Sequence, residues 1–240
     1  MPASFNALVA LVALTGMSAA IAQAPPAAAP AAAPPASVKE LGKDRYQIGT
    51  IIVDRKAGQF TVPGRILHID DAPLEYIAVG RAGYKGYESL LELDAVGTEF
   101  NLACILLGLD NAAVRRPDFQ FDRRPPEGPP VVLGLRWQTD GTTVEVPLRD
   151  ALSFAQRPAA DGAPAAGPPP DDWVYTGSFN TSEDGRYAAD VVGTIVGFVH
   201  DPASIIEHRA GLGIGAYGSV QGNRQLLPPI GSPVELIVTV

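Results

Sequence analysis

His68, Glu75, Glu88 and Ser89 fall within one short segment and supply an imidazole, two carboxyls and a hydroxyl. Those side-chain types support two kinds of chemistry. A serine nucleophile needs a base to take its proton, and His68, oriented by Asp70 or Asp71, is the base that would approach Ser89 across a sheet. A pair of carboxyls needs one member held protonated by burial or by a like charge. Glu75 shares a face with Ile77 and Val79 if LEYIAVG is a strand, and Glu88 on the adjacent segment completes a glycosidase-like pair. Trp137, Trp173 and Tyr175 are the aromatic residues that would line the accompanying cleft, although Trp more often fills a core. Neither constellation is complete in the sequence. The segment Gly86-Tyr87-Glu88-Ser89-Leu90 lacks the second glycine of a G-x-S-x-G elbow, and nothing in the spacing fixes the distance between the carboxyls.

A metal site would draw on His68, His200 and His208, with Asp201 or Glu207 as a carboxylate ligand. The spacing of H-E-x-x-H is missing, so these three imidazoles are candidates without a motif. Gly213, Gly215 and Gly218 form a literal G-x-G-x-x-G. The residues before them are not strand-like and prolines follow, so neither a dinucleotide nor any other cofactor is expected. Cys104, the single cysteine, sits in the apolar run LACILLGL, where a buried thiol is inert.

The elements that must position these groups follow from periodicity and turn residues. YQIGTIIVD and QFTVPGRILHI, on either side of a short loop with Gly58, read as two strands of a hairpin, with Pro63-Gly64 bending the second. LEYIAVG is a third strand. A strand over Tyr87 to Leu93 would turn Tyr87, Ser89, Leu91 and Leu93 inward and leave Glu88 near solvent. FNLACILLGL then reads as a helix over about residues 96–108, capped by Asp94 or Thr98 and stopped at Gly108. It is apolar on all sides, which predicts burial. VVLGLRWQ and TTVEVPL flank the turn Thr139-Asp140-Gly141 as another hairpin. WVYTGSFN and GRYAADVVGTIVGFVHD are strand-like, a short helical turn covers Ala203 to Glu207, and PVELIVTV is a final strand. The expected fold is α+β and mostly β: antiparallel sheets built from hairpins, with one buried helix.

Composition sets the boundaries of the folded region. Of the 240 residues, 46% are hydrophobic, enough for a sizeable core. Residues 1–22 read as a signal peptide: an apolar run from Phe5 to Leu14, then A-x-A sites ending at Ala22 and Ala24. Residues 23–37 are an Ala/Pro-rich spacer that buries too little surface to order itself. The globular region is 38–240, divisible into subregions 38–115 and 130–240, with an exposed Pro/Ala-rich loop at 157–172. A formal net charge of -8 opposes binding to nucleic acid. No integral membrane span remains once the signal is removed, and the expected location is periplasmic or secreted.

PLEYIAVG, GYKGYESLL and NLACILLGLD together resemble the YdjY-domain proteins of bacteria, which show a similar L-E-Y strand, an E-S-L-L segment and an A-L-L-L-L-G-L helix. The similarity extends through DWVYTGSFN, GRYAADVVGTIVGFVHDP and LLPPIGSPVELIV, covering most of residues 45–240. It implies export and no particular reaction. Similar proteins often carry His just before E-S-L-L and in the first helical turn, where this chain has Tyr87 and Asn101. The sequence therefore favours an exported cell-envelope protein that is a non-enzymatic binding or scaffold module, its partner an envelope protein or small ligand. The alternative is a secreted hydrolase or metal-assisted enzyme with its site near Glu75, Glu88, Ser89 and His68.

Overall fold

The computed structural model describes residues 37–72, 74–154, 171–211 and 220–240. The signal-peptide reading, nearly all of the spacer, most of the 157–172 loop and the glycine motif at 213–218 lie outside the described residues.

A sheet that closes on itself organises the molecule. Strands β1 (Val38–Gly42), β2 (Arg45–Ile48), β3 (Ile51–Asp54) and β4 (Gln59–Ile66) form an antiparallel meander. The run YQIGTIIVD is thus two strands and not one, because Gly49 takes a left-handed φ of 55° and reverses the chain. Beyond β4 the order continues through β14 (Pro233–Thr239), β7 (Pro130–Thr139), β10 (Trp173–Tyr175), β12 (Ile206–His208), β11 (Thr194–Gly197), β5 (Tyr76–Val79) and β6 (Ser89–Leu93). Pairing of β6 back to β4 closes these eight strands into a ring, and β8 (Thr142–Pro147) pairs with β7 outside it. Closure removes the open edges on which unpaired backbone groups would be stranded. A separate antiparallel pair joins β9 (Leu152–Phe154) to β13 (Val220–Gly222).

The architecture is mostly β, as the alternating runs predict. Two pairings depart from a purely antiparallel hairpin plan: β5 with β6, and β11 with β12, are parallel. Strands from 38–115 and from 130–240 share the one sheet, with β14 between β4 and β7. The hairpin of β7 and β8 turns at Asp140 and Gly141, both with positive φ (49° and 76°), the geometry a two-residue hairpin loop demands.

The strand β4 runs through Pro63 and Gly64 without a break, and this is where its partner changes from β3 to β6. Both features of the sequence are needed there. The Pro63 carbonyl accepts the Asp94 amide at 2.8 Å on the β6 side, so the missing proline N–H also faces the side where the ladder changes hands, and no bond is lost to β14. A Cβ on Gly64 would stand 2.4 Å from the Glu92 carbonyl oxygen, so only glycine lets β6 approach.

Core residues alternate along the exposed strands and are continuous along the covered ones. Val131, Leu133, Leu135 and Trp137 of β7 point inward, as do Phe60 and Val62 of β4 and Leu236 and Val238 of β14. Strands β5, β10, β11 and β12 are buried at every position, the pattern of strands covered on both faces. Helix α1 (Gly97–Leu106) packs against β2, β3 and β11 and against the short helix α2 (Ala188–Val192). Phe100 meets Phe60 edge to face with ring centroids 5.1 Å apart.

Several expectations require correction. Helix α1 is not buried all round: Phe100, Ala103 and Cys104 are inside while Ile105 is 51% exposed. An apolar-on-all-sides sequence names no inner face, so the neighbours decide it. Gly108, at φ 92°, does end the helix, but neither Asp94 nor Thr98 caps it. The Thr98 amide is instead met at 2.8 Å by Asp190 of α2, and the Asp94 carboxylate binds Arg81. The strand-like run GRYAADVVGTIVGFVHD contains α2 as well as β11, with Gly193 at φ 85° separating them. Residues 203–207, expected as a helical turn, lead into β12.

Candidate functional site

Parallel pairing creates the site. Tyr76 of β5 lies opposite Ser89 of β6, so the residues just before each strand, Glu75 and Glu88, arrive side by side at one end of the barrel. The Glu75 amide donates to the Glu88 carbonyl at 2.9 Å. Residues Tyr84–Glu88 form a 3-10 turn where a strand was expected over Tyr87 and Glu88, and this reverses both predicted environments. Glu88 is buried, at 4% exposure, and Tyr87 is 60% exposed. A 3-10 turn has three residues per turn, which sets Lys85 over Glu88; its ammonium donates to Glu88 Oε1 at 2.7 Å.

The two carboxyls and the ammonium form a coupled group. Glu75 is also 4% exposed, and its pKa is pushed up to about 7, first by burial and then by the negative charge of Glu88 and a carboxyl–carboxylate hydrogen bond with it, against the pull of Lys85. Burial works against the Lys85 charge, yet the bond to Glu88 outweighs it and the ammonium is held above its ordinary range. Lys85 Nζ also stands 5.6 Å from the ring centroid of Tyr76 and 5.9 Å from that of Tyr87, within reach of cation–π attraction.

Behind this group lies a second pair of acids. The Tyr76 hydroxyl donates to Asp201 Oδ2 at 2.9 Å, and the Asp201 amide donates to Glu207 Oε1 at 2.9 Å. Glu207 is fully buried, and burial first, then the Asp201 charge, raises its pKa well above the carboxylate range. Burial without a cationic partner favours the neutral form of such an acid. Gly197 makes room for it: a Cβ there would lie 2.8 Å from Ser204 Oγ and 3.1 Å from Glu207 Oε1. Nothing in the sequence spacing singles out Lys85 or Tyr76, and Asp201 and Glu207 stand there only as candidate metal ligands.

The remaining candidates do not join Glu75 and Glu88. Ser89 is fully buried as expected, but its hydroxyl donates to the Lys85 carbonyl at 2.8 Å. His68 Nδ1 pairs with Asp71 Oδ2 at 2.8 Å, and Asp70 is engaged by Arg224. No Ser–His relay is assembled. The aromatic cleft is likewise absent at these positions: Trp137, Trp173 and Tyr175 are buried at 5%, 2% and 1% exposure.

The imidazoles are structural in their contacts. Carbonyl oxygens of Asp122 and His208 face the two ring nitrogens of His200, at 2.6 and 2.9 Å, so both nitrogens are directed at backbone. His208 stacks on Phe198 with centroids 4.6 Å apart, and its Nδ1 accepts the Gly211 amide. Among the described residues no three His, Cys, Asp or Glu side chains stand in a metal-holding arrangement. Burial pushes the Cys104 thiol up, out of the reactive range.

Fold and site together define a closed β-barrel protein with a pair of buried carboxyls at one end, one of them salt-bridged to Lys85. No family model, curated protein or solved structure matches this chain. Among the described residues no helix is long and apolar enough to cross a membrane.

Proposed function

We propose that this chain is an exported, non-enzymatic binding or scaffold module of the cell envelope, related to the YdjY-domain proteins. The observation that supports this reading is the engagement of its reactive groups. Ser89 is bonded to the backbone, His68 to Asp71, and Glu88 to Lys85, so the four side chains of the hydrolase reading do not converge on one open pocket. A nucleophile without a neighbouring base stays weak. The signal-like leader and the Ala/Pro spacer of the sequence supply the address, periplasmic or secreted, and an envelope protein or small ligand is the partner.

One feature favours a second reading. A carboxyl held near neutral pKa beside another carboxyl is the pattern of a general acid, which keeps Glu75 and Glu88 as the centre of a secreted hydrolase. Crosslinking in the native envelope, followed by recovery of the full chain, separates the two. The module reading predicts one discrete partner, recovered equally with wild type and with a Glu75→Gln, Ser89→Ala double variant. Hydrolysis of a chromogenic glycoside or ester by the purified protein, lost in a folded Glu75→Gln variant, would replace it with the hydrolase.

A further inference from the structure

Beside the point where β4 changes partner lies a cleft of about 320 Å³, at the lower end of the roughly 300–1,000 Å³ of small-molecule sites. Strand β3 pairs with residues 59–61 of β4 and β6 with residues 64–66, and the cleft is lined by Pro63, Gly64 and the charged residues Arg65, Arg81, Glu92 and Asp94. Phe60 and Val62 point into the core, so by alternation Pro63 and Arg65 face outward. The cleft therefore belongs to the outer surface of the barrel.

Its charges are arranged as two pairs. Arg65 Nη2 donates to Glu92 Oε2 at 2.5 Å, directly across the pairing of β4 with β6. Arg81 Nε donates to Asp94 Oδ1 at 2.7 Å, and its Nη2 to the Asp94 carbonyl at 3.0 Å. The backbone fixes this second pair. The Asp94 amide donates to the Pro63 carbonyl at 2.8 Å and the Arg81 amide to the Ala95 carbonyl at 2.9 Å. Next to Arg81, Ala82 holds a φ of 60° in a turn closed by the Gly83 amide and the Gly80 carbonyl at 2.9 Å. That position favours glycine, so backbone strain is stored beside a residue of the cleft. Each pair also leaves atoms over. Among the described residues Glu92 Oε1, Asp94 Oδ2 and Nη1 of both arginines take no bond. Three of the four side chains are at least half exposed, and exposed ion pairs are held weakly enough to share their atoms with a ligand.

We propose that this cleft binds a neutral saccharide. Two guanidinium groups and two carboxylates cancel, so an anion or a cation gains nothing without displacing a residue of the chain from its partner. A hydroxyl both donates and accepts. Neighbouring hydroxyls of one sugar ring can thus accept from a guanidinium and donate to the carboxylate paired with it, leaving the ion pair in place. Glu92 and Asp94 are two residues apart, roughly 7 Å along an extended chain, a spacing that a ring carrying hydroxyls on both sides bridges. Glu88 precedes β6 and Asp94 follows it, which separates the cleft from the buried carboxyl pair by the length of that strand. The inference goes beyond the module reading and stands whether or not Glu75 and Glu88 are catalytic.

The test is a titration of the isotope-labelled protein with maltose, cellobiose and N,N′-diacetylchitobiose, and separately with sodium acetate and putrescine at matched ionic strength. The backbone amides of Arg65, Arg81, Glu92 and Asp94 are the readout. Saturable movement of those amides with at least one disaccharide is expected, and none with acetate or putrescine. Arg81→Gln and Glu92→Gln should each weaken that binding about tenfold, with dispersed spectra showing that both variants are folded. Arg115→Gln, which opens an exposed ion pair with Glu127, should leave it unchanged. Amides unmoved by all three disaccharides, a saturable response to acetate or putrescine alone, or binding equal in wild type, Arg81→Gln and Glu92→Gln overturns the proposal.

Discussion

Glu75 is a residue whose protonation is coupled to stability. Its folded pKa, about 7, lies above the ordinary value of 4.5, so the folded chain holds a proton that the unfolded chain releases between those values. Stability from this group is therefore fully present below pH 4.5 and is lost as pH rises through 7. Replacing the acid by its neutral isostere should remove that loss. Glu75→Gln is expected to be more stable than wild type at pH 8 by roughly 1–3 kcal/mol and nearly equal at pH 5, measured by urea denaturation at both. Glu207, also raised, leaves a residual slope of the same sign. Equal pH dependence in wild type and Glu75→Gln would show that the carboxyl pair does not carry the effect.

At the scale of elements, closure of the barrel depends on a backbone contact and not on side-chain packing. The strand β6 reaches β4 only because Gly64 presents no Cβ to the Glu92 carbonyl. A methyl there must push the strands apart, and the displaced atom is backbone, which cannot rotate away. Gly64→Ala is expected to cost roughly 1–3 kcal/mol, with the amides of Arg65 to Leu67 and Glu92 to Asp94 exchanging faster than the rest of the sheet. Because β6 also carries Glu88 to its place, the same variant should shift the environment of Lys85. Uniform exchange across the sheet in Gly64→Ala would refute a local role for this glycine. The site was partly legible at this scale. Period-two alternation correctly places Ser89 and Glu75 inside, but it fails at Glu88 because the chain there is a 3-10 turn, with a different period.

For the whole molecule, β14 is the strand that holds two halves of the sequence together. It pairs with β4 over seven positions and with β7 over five, so its removal opens the ring and exposes Leu133, Leu135, Phe60 and Val62 at once. A chain ending before Pro233 should lose its near-ultraviolet circular dichroism and its cooperative unfolding. A truncated chain that still unfolds cooperatively would mean that 38–115 and 130–232 fold without β14.

The sequence by itself determined what depends on local periods and local turns. These are the mostly-β class, the hairpin at Asp140-Gly141, the end of α1 at Gly108, the burial of Ser89 and the pairing of Glu75 with Glu88 as candidates. Only the tertiary structure decided which strands meet. Parallel neighbours such as β5 and β6 leave no hairpin signal between them, and the partner change at Pro63 depends on residues far along the chain. The same holds for the charges. Lys85 is an ordinary exposed-looking lysine until a 3-10 turn folds it over Glu88. Arg116 reads like any arginine of a charged crossing until the fold buries its Nε, with no acid paired to it among the described residues. Ionisation and hydrogen bonding are set by distance in space and by access to water, and neither quantity is written in sequence spacing.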